Sequence, residues 1–238
     1  MSEPAVSIAF FDPDHGLHGS ARAGATLLFE GSESRVLSEG PEIERRPSGW
    51  RAELDGAFSL ELVSVGDPAV LDGVSAHLCE VNGMVGNTEV RCLGTVGETR
   101  KAPSWDRLDA LRSVSAVFDR DHAFLATAHR PRRAAGHDAE AVAAWLLHGG
   151  RSLTIEDARL STVYDGSGRQ RSAGLELWIA GEDFPLRLSG TVAAGSSLQL
   201  EGVNVHAAVF RWRMEDREGA GAYELWVRRD EEAALARR

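Results

Sequence analysis

The chain carries the same short phrase twice. Phe11-Asp12-Pro13-Asp14-His15 is followed after four residues by Ser20-Ala21-Arg22, and Phe118-Asp119-Arg120-Asp121-His122 is followed after four by Thr127-Ala128-His129. The copies lie 107 positions apart (118 minus 11). A repeat of this period marks one supersecondary unit used twice. The chain therefore reads as an N-terminal β unit over 1–103, a short helical connector over 104–112, and a C-terminal β unit over 113–238.

Weaker correspondences follow in the same order. Asp55-Gly56 and Leu60-Glu61-Leu62-Val63 match Asp165-Gly166 and Leu175-Glu176-Leu177-Trp178, and Leu93-Gly94 is echoed by Glu201-Gly202. On this alignment Glu176 is the counterpart of Glu61, and the second copy has gained residues in its loops, which surface loops tolerate cheaply.

The texture between these landmarks is short apolar runs broken by Gly, Asp and Asn. Ser7–Phe11 with Leu17–Arg22 reads as a hairpin, as does Val74–Val81 with Thr88–Gly94 around Asn82–Asn87. In the second half Ser113–Phe118, Ala123–His129, Ser152–Tyr164, Arg171–Ile179, Leu186–Val192, Leu198–Val203, Val205–Met214 and Ala222–Arg228 are strand candidates. Short strands, tight turns and no βαβ alternation predict an all-β fold of two tandem antiparallel barrels or half-barrels. Two segments read as short helices. Ser104 is a good N-cap before Trp105, Leu108 and Leu111 on one face, and Asp138–His148 is rich in alanine and leucine before Gly149-Gly150. Val142, Ala144 and Leu146 also alternate, so a buried strand competes with the second helix. The charged tail Asp230–Arg238 reads as frayed.

A net charge of −10 leaves no basic face for nucleic acid. No apolar stretch approaches the length of a membrane span, and Met1-Ser2-Glu3-Pro4 opens no secretory signal. The expected location is the cytoplasm, where Cys79 and Cys92 are two small core residues rather than a disulfide. A homodimer is left open.

The paired Phe-Asp-x-Asp-His turns, the Leu-Glu-Leu segments at Leu60–Leu62 and Leu175–Leu177, and the tryptophans of the second half resemble the two-domain lipocalin-like proteins related to carotenoid 1,2-hydratase. That group includes hydroxyneurosporene synthases and lipocalin-like Diels–Alderases. Arg120-Asp121-His122 matches three residues of an Arg-Asp-His-Ser-Trp type segment found in many of them, then departs at Ala123-Phe124. The resemblance implies a small lipophilic ligand, terpenoid or polyketide-like, held in a barrel mouth or cleft. It implies either a binding protein or a hydratase, isomerase or cyclase on the same scaffold. No cofactor is expected, because the phosphate-cradling, dinucleotide, nucleophile-elbow and Cys-x-x-Cys motifs are missing.

Strand parity supplies candidate residues for such a site. In Val205–Met214 one face reads His206, Ala208, Phe210, Trp212, Met214. His206 is a candidate acid or base there, against the plainer reading of a histidine satisfied in the core. Glu176 shares a face with Trp178. A carboxyl beside an indole in a poorly hydrated cleft would hold its proton and could donate it to an alkene, whereas the plainer reading is an exposed strand Glu. Glu176 and His206 are thus the catalytic candidates, with Tyr164, Trp178, Phe210, Trp212 and Trp226 as ligand contacts. The clusters His15, His18, Asp12, Asp14 and His122, Asp119, Asp121 read as turn chemistry rather than a metal site. His77 and His129 are looser candidates.

Overall fold

The computed structural model describes residues 4–134, 139–200 and 202–229. It contains two compact units, 1–102 and 103–238, each built on one antiparallel sheet. The first unit holds β1 (Ala5–Asp12), β2 (Leu17–Arg22), β3 (Ala25–Glu30), β4 (Glu33–Leu37), β5 (Glu42–Arg46), β6 (Gly49–Leu54), β7 (Phe58–Ser64), β8 (Ala69–Leu71), β9 (Val74–Val85) and β10 (Thr88–Thr99). The second holds β11 (Leu108–Asp119), β12 (His122–Pro131), β13 (Ala141–His148), β14 (Arg151–Leu153), β15 (Ile155–Tyr164), β16 (Gln170–Ile179), β17 (Leu186–Leu200), β18 (Val203–Met214) and β19 (Arg217–Arg228).

Strand order shows the duplication directly. The first sheet runs β4-β3-β2-β1-β10-β9-β7-β6-β5 and the second β14-β13-β12-β11-β19-β18-β17-β16-β15. In each, a four-strand meander from the first half of the unit joins a meander from the second half through the first and last strands. The small strand β8 pairs with β9 beyond β7, and the long β17 does the work of both in the second unit. A bulge at Val192/Ala194 lets β17 bend and stay paired along all of β18. The second sheet curls until β13 lies against β15, giving a nearly closed barrel, and the first remains a half-barrel.

The topology corrects the finer alignment. The Phe-Asp-x-Asp-His phrases do occupy equivalent hairpins, β1–β2 and β11–β12. Asp55-Gly56 joins β6 to β7, however, while Asp165-Gly166 lies between β15 and β16, one hairpin earlier. Glu61 on β7 therefore answers to β17, and Glu176 on β16 answers to β6. Gly94 lies inside β10 while Gly202 lies in the β17–β18 turn, and Glu201 is outside the described residues. The segments that do superpose are the last hairpins. Val74↔Thr99 through Val85↔Thr88 and Val203↔Arg228 through Met214↔Arg217 are twelve-residue strands in the same register, shifted by 129 positions (203 minus 74). The Asn82–Asn87 turn correspondingly shrinks to Gly86-Asn87.

Neither expected helix forms. Arg107 N–H bonds to Ser104 O at 2.9 Å, closing a single turn, and from Leu108 the chain is strand. Ala110, Arg112 and Val114 alternate inward there and pair with β12 and β19. From Ala141 the second segment is β13, whose Val142, Ala144 and Leu146 face Ala128, Ala126 and Phe124. A filled sheet position outweighs the helix propensity of alanine. Asp138 and the tail Asp230–Arg238 lie outside the described residues.

The two cores differ in filling. The first unit buries Ile8, Phe10, Trp50, Leu60, Leu62, Val81 and Val96, with Cys79 beside them. Cys79 pairs with Gly94 and Cys92 with Val81, so the two free thiols sit diagonally rather than opposite. Burial raises both thiols to about 12, which keeps them protonated and inert. The second unit buries Phe124, Leu146, Leu175, Leu177, Phe210, Trp212, Met214 and Tyr223.

Candidate functional site

Inside the second barrel, one end is apolar and the other is not. At the apolar end Trp212 packs edge-on against Phe124 at 5.0 Å and stacks with Phe210 at 5.7 Å. Gly190 on β17 makes room for the indole, since a Cβ there would lie 2.8 Å from the ring. Phe210 and Trp212 are almost wholly buried, so their first role is to fill this core.

The polar end is built around Arg112, whose guanidinium is paired to Glu140, both side chains being at least nine-tenths buried. Arg112 Nη1 donates to Thr162 Oγ1 at 3.0 Å and reaches Tyr223 Oη at 3.5 Å. Thr162 Oγ1 and Tyr223 Oη share a 2.6 Å hydrogen bond. Three strands, β11, β15 and β19, and the residue before β13 thus converge. Small neighbours make the convergence sterically feasible. Arg112 lies opposite Ala128, Tyr223 opposite Ala208, and Thr162 opposite Ala173. Burial pushes the Tyr223 phenol up to about 12, with nearby Tyr164 adding to the rise against the pull of Arg112 and Thr162. Tyr223 is therefore a protonated phenol across the ordinary pH range.

His206 and Gln170 extend this end. His206 is buried on the inner face of β18, and its Nδ1 lies 2.8 Å from Ser197 Oγ on β17. Gln170 Nε2 donates to the carbonyls of His206 and Tyr223 at 2.9 and 3.3 Å, tying β16 to β18 and β19. Tyr164, half-buried at the end of β15, packs against the same core.

The other sequence candidates lie elsewhere. Glu176 does not occupy a dry cleft. It sits on the outer face of β16, a third exposed, bonded to Arg187 Nε at 3.0 Å. Trp178 shares that outer face, with Arg159 stacked over its ring at 4.6 Å. Trp226 faces outward on β19, stacked on Trp105 at 6.3 Å, and donates to Glu224 Oε2 at 3.0 Å. The structure thus groups Tyr164 and His206 near Arg112, Thr162, Glu140 and Tyr223. It separates Glu176, Trp178 and Trp226 from them. A charged residue inside an otherwise apolar alternation, Ala110-x-Arg112-x-Val114, was the sequence signal for the missed cluster.

The first unit has its own inner histidine at the matching position. His77 sits 129 residues before His206 and is one of three identities in the hairpin, the others being Val74/Val203 and Glu89/Glu218. Its Nδ1 lies 3.4 Å from Ser64 Oγ, its ring meets Trp50 edge-on at 4.7 Å, and Arg45, ion-paired to Glu98, covers Trp50 at 4.5 Å. Burial lowers the His77 pKa, with Arg45 adding to the fall and Glu98 opposing it. The repeated turns are likewise wired alike. His15 Nδ1 meets Asp12 at 2.8 Å and His122 Nδ1 meets Asp119 at 2.8 Å.

No family model matches the sequence, and no curated protein matches it. Solved structures do. A protein from Nitrosomonas europaea assigned provisionally as AttH superposes with a TM-score of 0.62 at 12% identity, covering 94% of this chain and 91% of that one. Kievitone hydratase from Nectria haematococca superposes with a TM-score of 0.53 at 10% identity, covering 95% and 89%. At such identities the likeness defines the fold alone: a tandem pair of lipocalin-like antiparallel β units.

Proposed function

We propose that the second barrel binds a small, largely apolar molecule whose polar group meets the Arg112–Glu140–Thr162–Tyr223 cluster. The observation that carries this reading is the cluster itself. Removing a guanidinium and a carboxylate from water into an apolar barrel costs several kcal/mol per ion before their attraction is counted, and an apolar replacement would often be at least as stable. Buried ionic groups with convergent polar partners inside an apolar site mark a functional-site candidate. Tyr164 and His206 are the further candidate contacts. Phe210 and Trp212 form the floor beneath them, and no cofactor is invoked.

A second reading is supported by the likeness to a protein named as a hydratase: the same site adds water to a bound alkene or removes it. Binding in a reactive conformer supplies much of such a rate enhancement, so few side chains are required. Mass spectrometry of an organic extract from natively purified protein tests the binding reading. An apolar metabolite is expected from the wild type and reduced in Ala208→Phe, which places a large ring opposite Tyr223. A protein that carries no such molecule and takes none from an apolar panel overturns it. Gain or loss of one water by the recovered molecule separates enzyme from binder.

A further inference from the structure

The hydrogen-bond count of the polar cluster is unbalanced in one direction. Arg112 Nε is buried and meets no acceptor among the described residues. Thr162 and Tyr223 carry one hydroxyl proton each, and their mutual 2.6 Å bond uses only one of them. Arg112 Nη1 donates to both oxygens and can accept from neither, so one hydroxyl proton is left over. The cluster therefore holds more donors than acceptors: the Arg112 Nε–H, the second Nη2–H and one hydroxyl proton meet none among the described residues. Charge, in contrast, is balanced, because Arg112 is paired with Glu140 inside the same barrel.

We propose, resting on the binding site assigned above, that the group recognised there is an uncharged acceptor oxygen: the carbonyl of a ketone, ester, lactone or amide. A carbonyl oxygen supplies two lone pairs to this donor excess and brings no charge. A carboxylate would accept equally well but would leave a net negative charge buried beside Glu140. An ammonium would set donors against donors. A hydrocarbon would leave these donors unmet, at the usual cost of desolvated, unpaired polar groups.

Displacement of the neutral fluorescent probe N-phenyl-1-naphthylamine by matched naphthalenes bearing ethyl, acetyl, carboxylate or aminomethyl groups tests the assignment. The acetyl compound is expected to displace the probe at about tenfold lower concentration than the ethyl compound, the scale of one good hydrogen bond to a charged donor. The carboxylate and the amine fall behind both. Arg112→Lys retains a cation opposite Glu140 but has no Nε–H, and it is expected to erase the acetyl preference, so that acetyl and ethyl compounds displace the probe alike. Tyr223→Phe lowers the preference partway. Preference for the carboxylate or the amine, equal binding of all four, or an acetyl preference unchanged in Arg112→Lys overturns the carbonyl assignment and leaves the binding site standing. Failure of the probe and of every compound to bind overturns the site itself. Should Arg112→Lys not fold, the wild-type ranking still decides.

Discussion

Two buried residues of the second barrel set its response to mutation and to pH. Glu140 is the counter-charge that makes a buried Arg112 tolerable. Glu140→Ala is expected to cost about 3–5 kcal/mol, because it leaves a charge buried without its ion-pair partner, whereas Arg112→Met with Glu140→Leu recovers most of that loss. Chemical unfolding of the single and double variants measures both, and equal destabilisation by both would refute the pairing. Tyr223 gives the pH response. Its pKa is raised to about 12 from the ordinary value near 10. The stability tied to the neutral phenol is therefore fully present below about pH 10 and is lost as pH rises toward 12. Thermal melts of the wild type should fall across that window, and Tyr223→Phe should flatten the fall. Identical alkaline slopes would show that the phenol is not held neutral by the fold.

At the level of strands and hairpins, identical registers carry different fillings. Gly83 of β9 and Trp212 of β18 occupy the same position, and the indole is accommodated only because β17 has Gly190 against it. Gly190→Ala is expected to destabilise the second unit by about 1–3 kcal/mol through overpacking, and Trp212→Leu in the same chain to relieve the clash. A thermal shift for the pair no smaller than the sum of the singles would refute the contact. Much of this layer was legible in the sequence. Short apolar runs named β1, β2, β9, β10 and β18, and the face of His206, Ala208, Phe210, Trp212 and Met214 is the face that turns inward. Where the reading failed, a non-local term decided. The strands β4 and β5 are charged and exposed, so no apolar period announced them, and only pairing with β3 and β6 makes them strands. Ala141–His148 has helical composition and is held extended by β12. Arg112 was passed over because its partners Glu140, Thr162 and Tyr223 lie 28, 50 and 111 residues away.

Across the whole chain, one ancestral unit has been kept twice and spent differently. The position of Tyr223 is Gly94 in the first copy, that of Phe210 is Val81, that of Trp226 is Gly97, and that of Trp212 is Gly83. Each aromatic of the second hairpin thus replaces a smaller residue, which fits a filled, nearly closed barrel on one side and an open half-barrel on the other. The inner histidine survives in both. In the first copy burial disfavours the charged form of His77, so its pKa lies below the ordinary 6.5. With the folded-state value depressed, the associated stability is present above pH 6.5 and is lost as pH falls through the lowered value. The two copies are therefore expected to weaken at opposite ends of the pH scale, the first in acid through His77 and the second in alkali through Tyr223. Trp50, whose ring lies 4.7 Å from His77, is the only tryptophan of the first unit and reports on it alone. The Trp50 contribution to fluorescence, obtained by difference from Trp50→Phe, should change below pH 6.5, and His77→Gln should abolish that change. Arg45 and Glu98, the charged groups facing the ring, are the other sources to eliminate, so Glu98→Gln should move the transition to still lower pH by removing the opposing carboxylate. A transition that persists in His77→Gln, or that moves upward in Glu98→Gln, would show that the first unit senses acid through a different group.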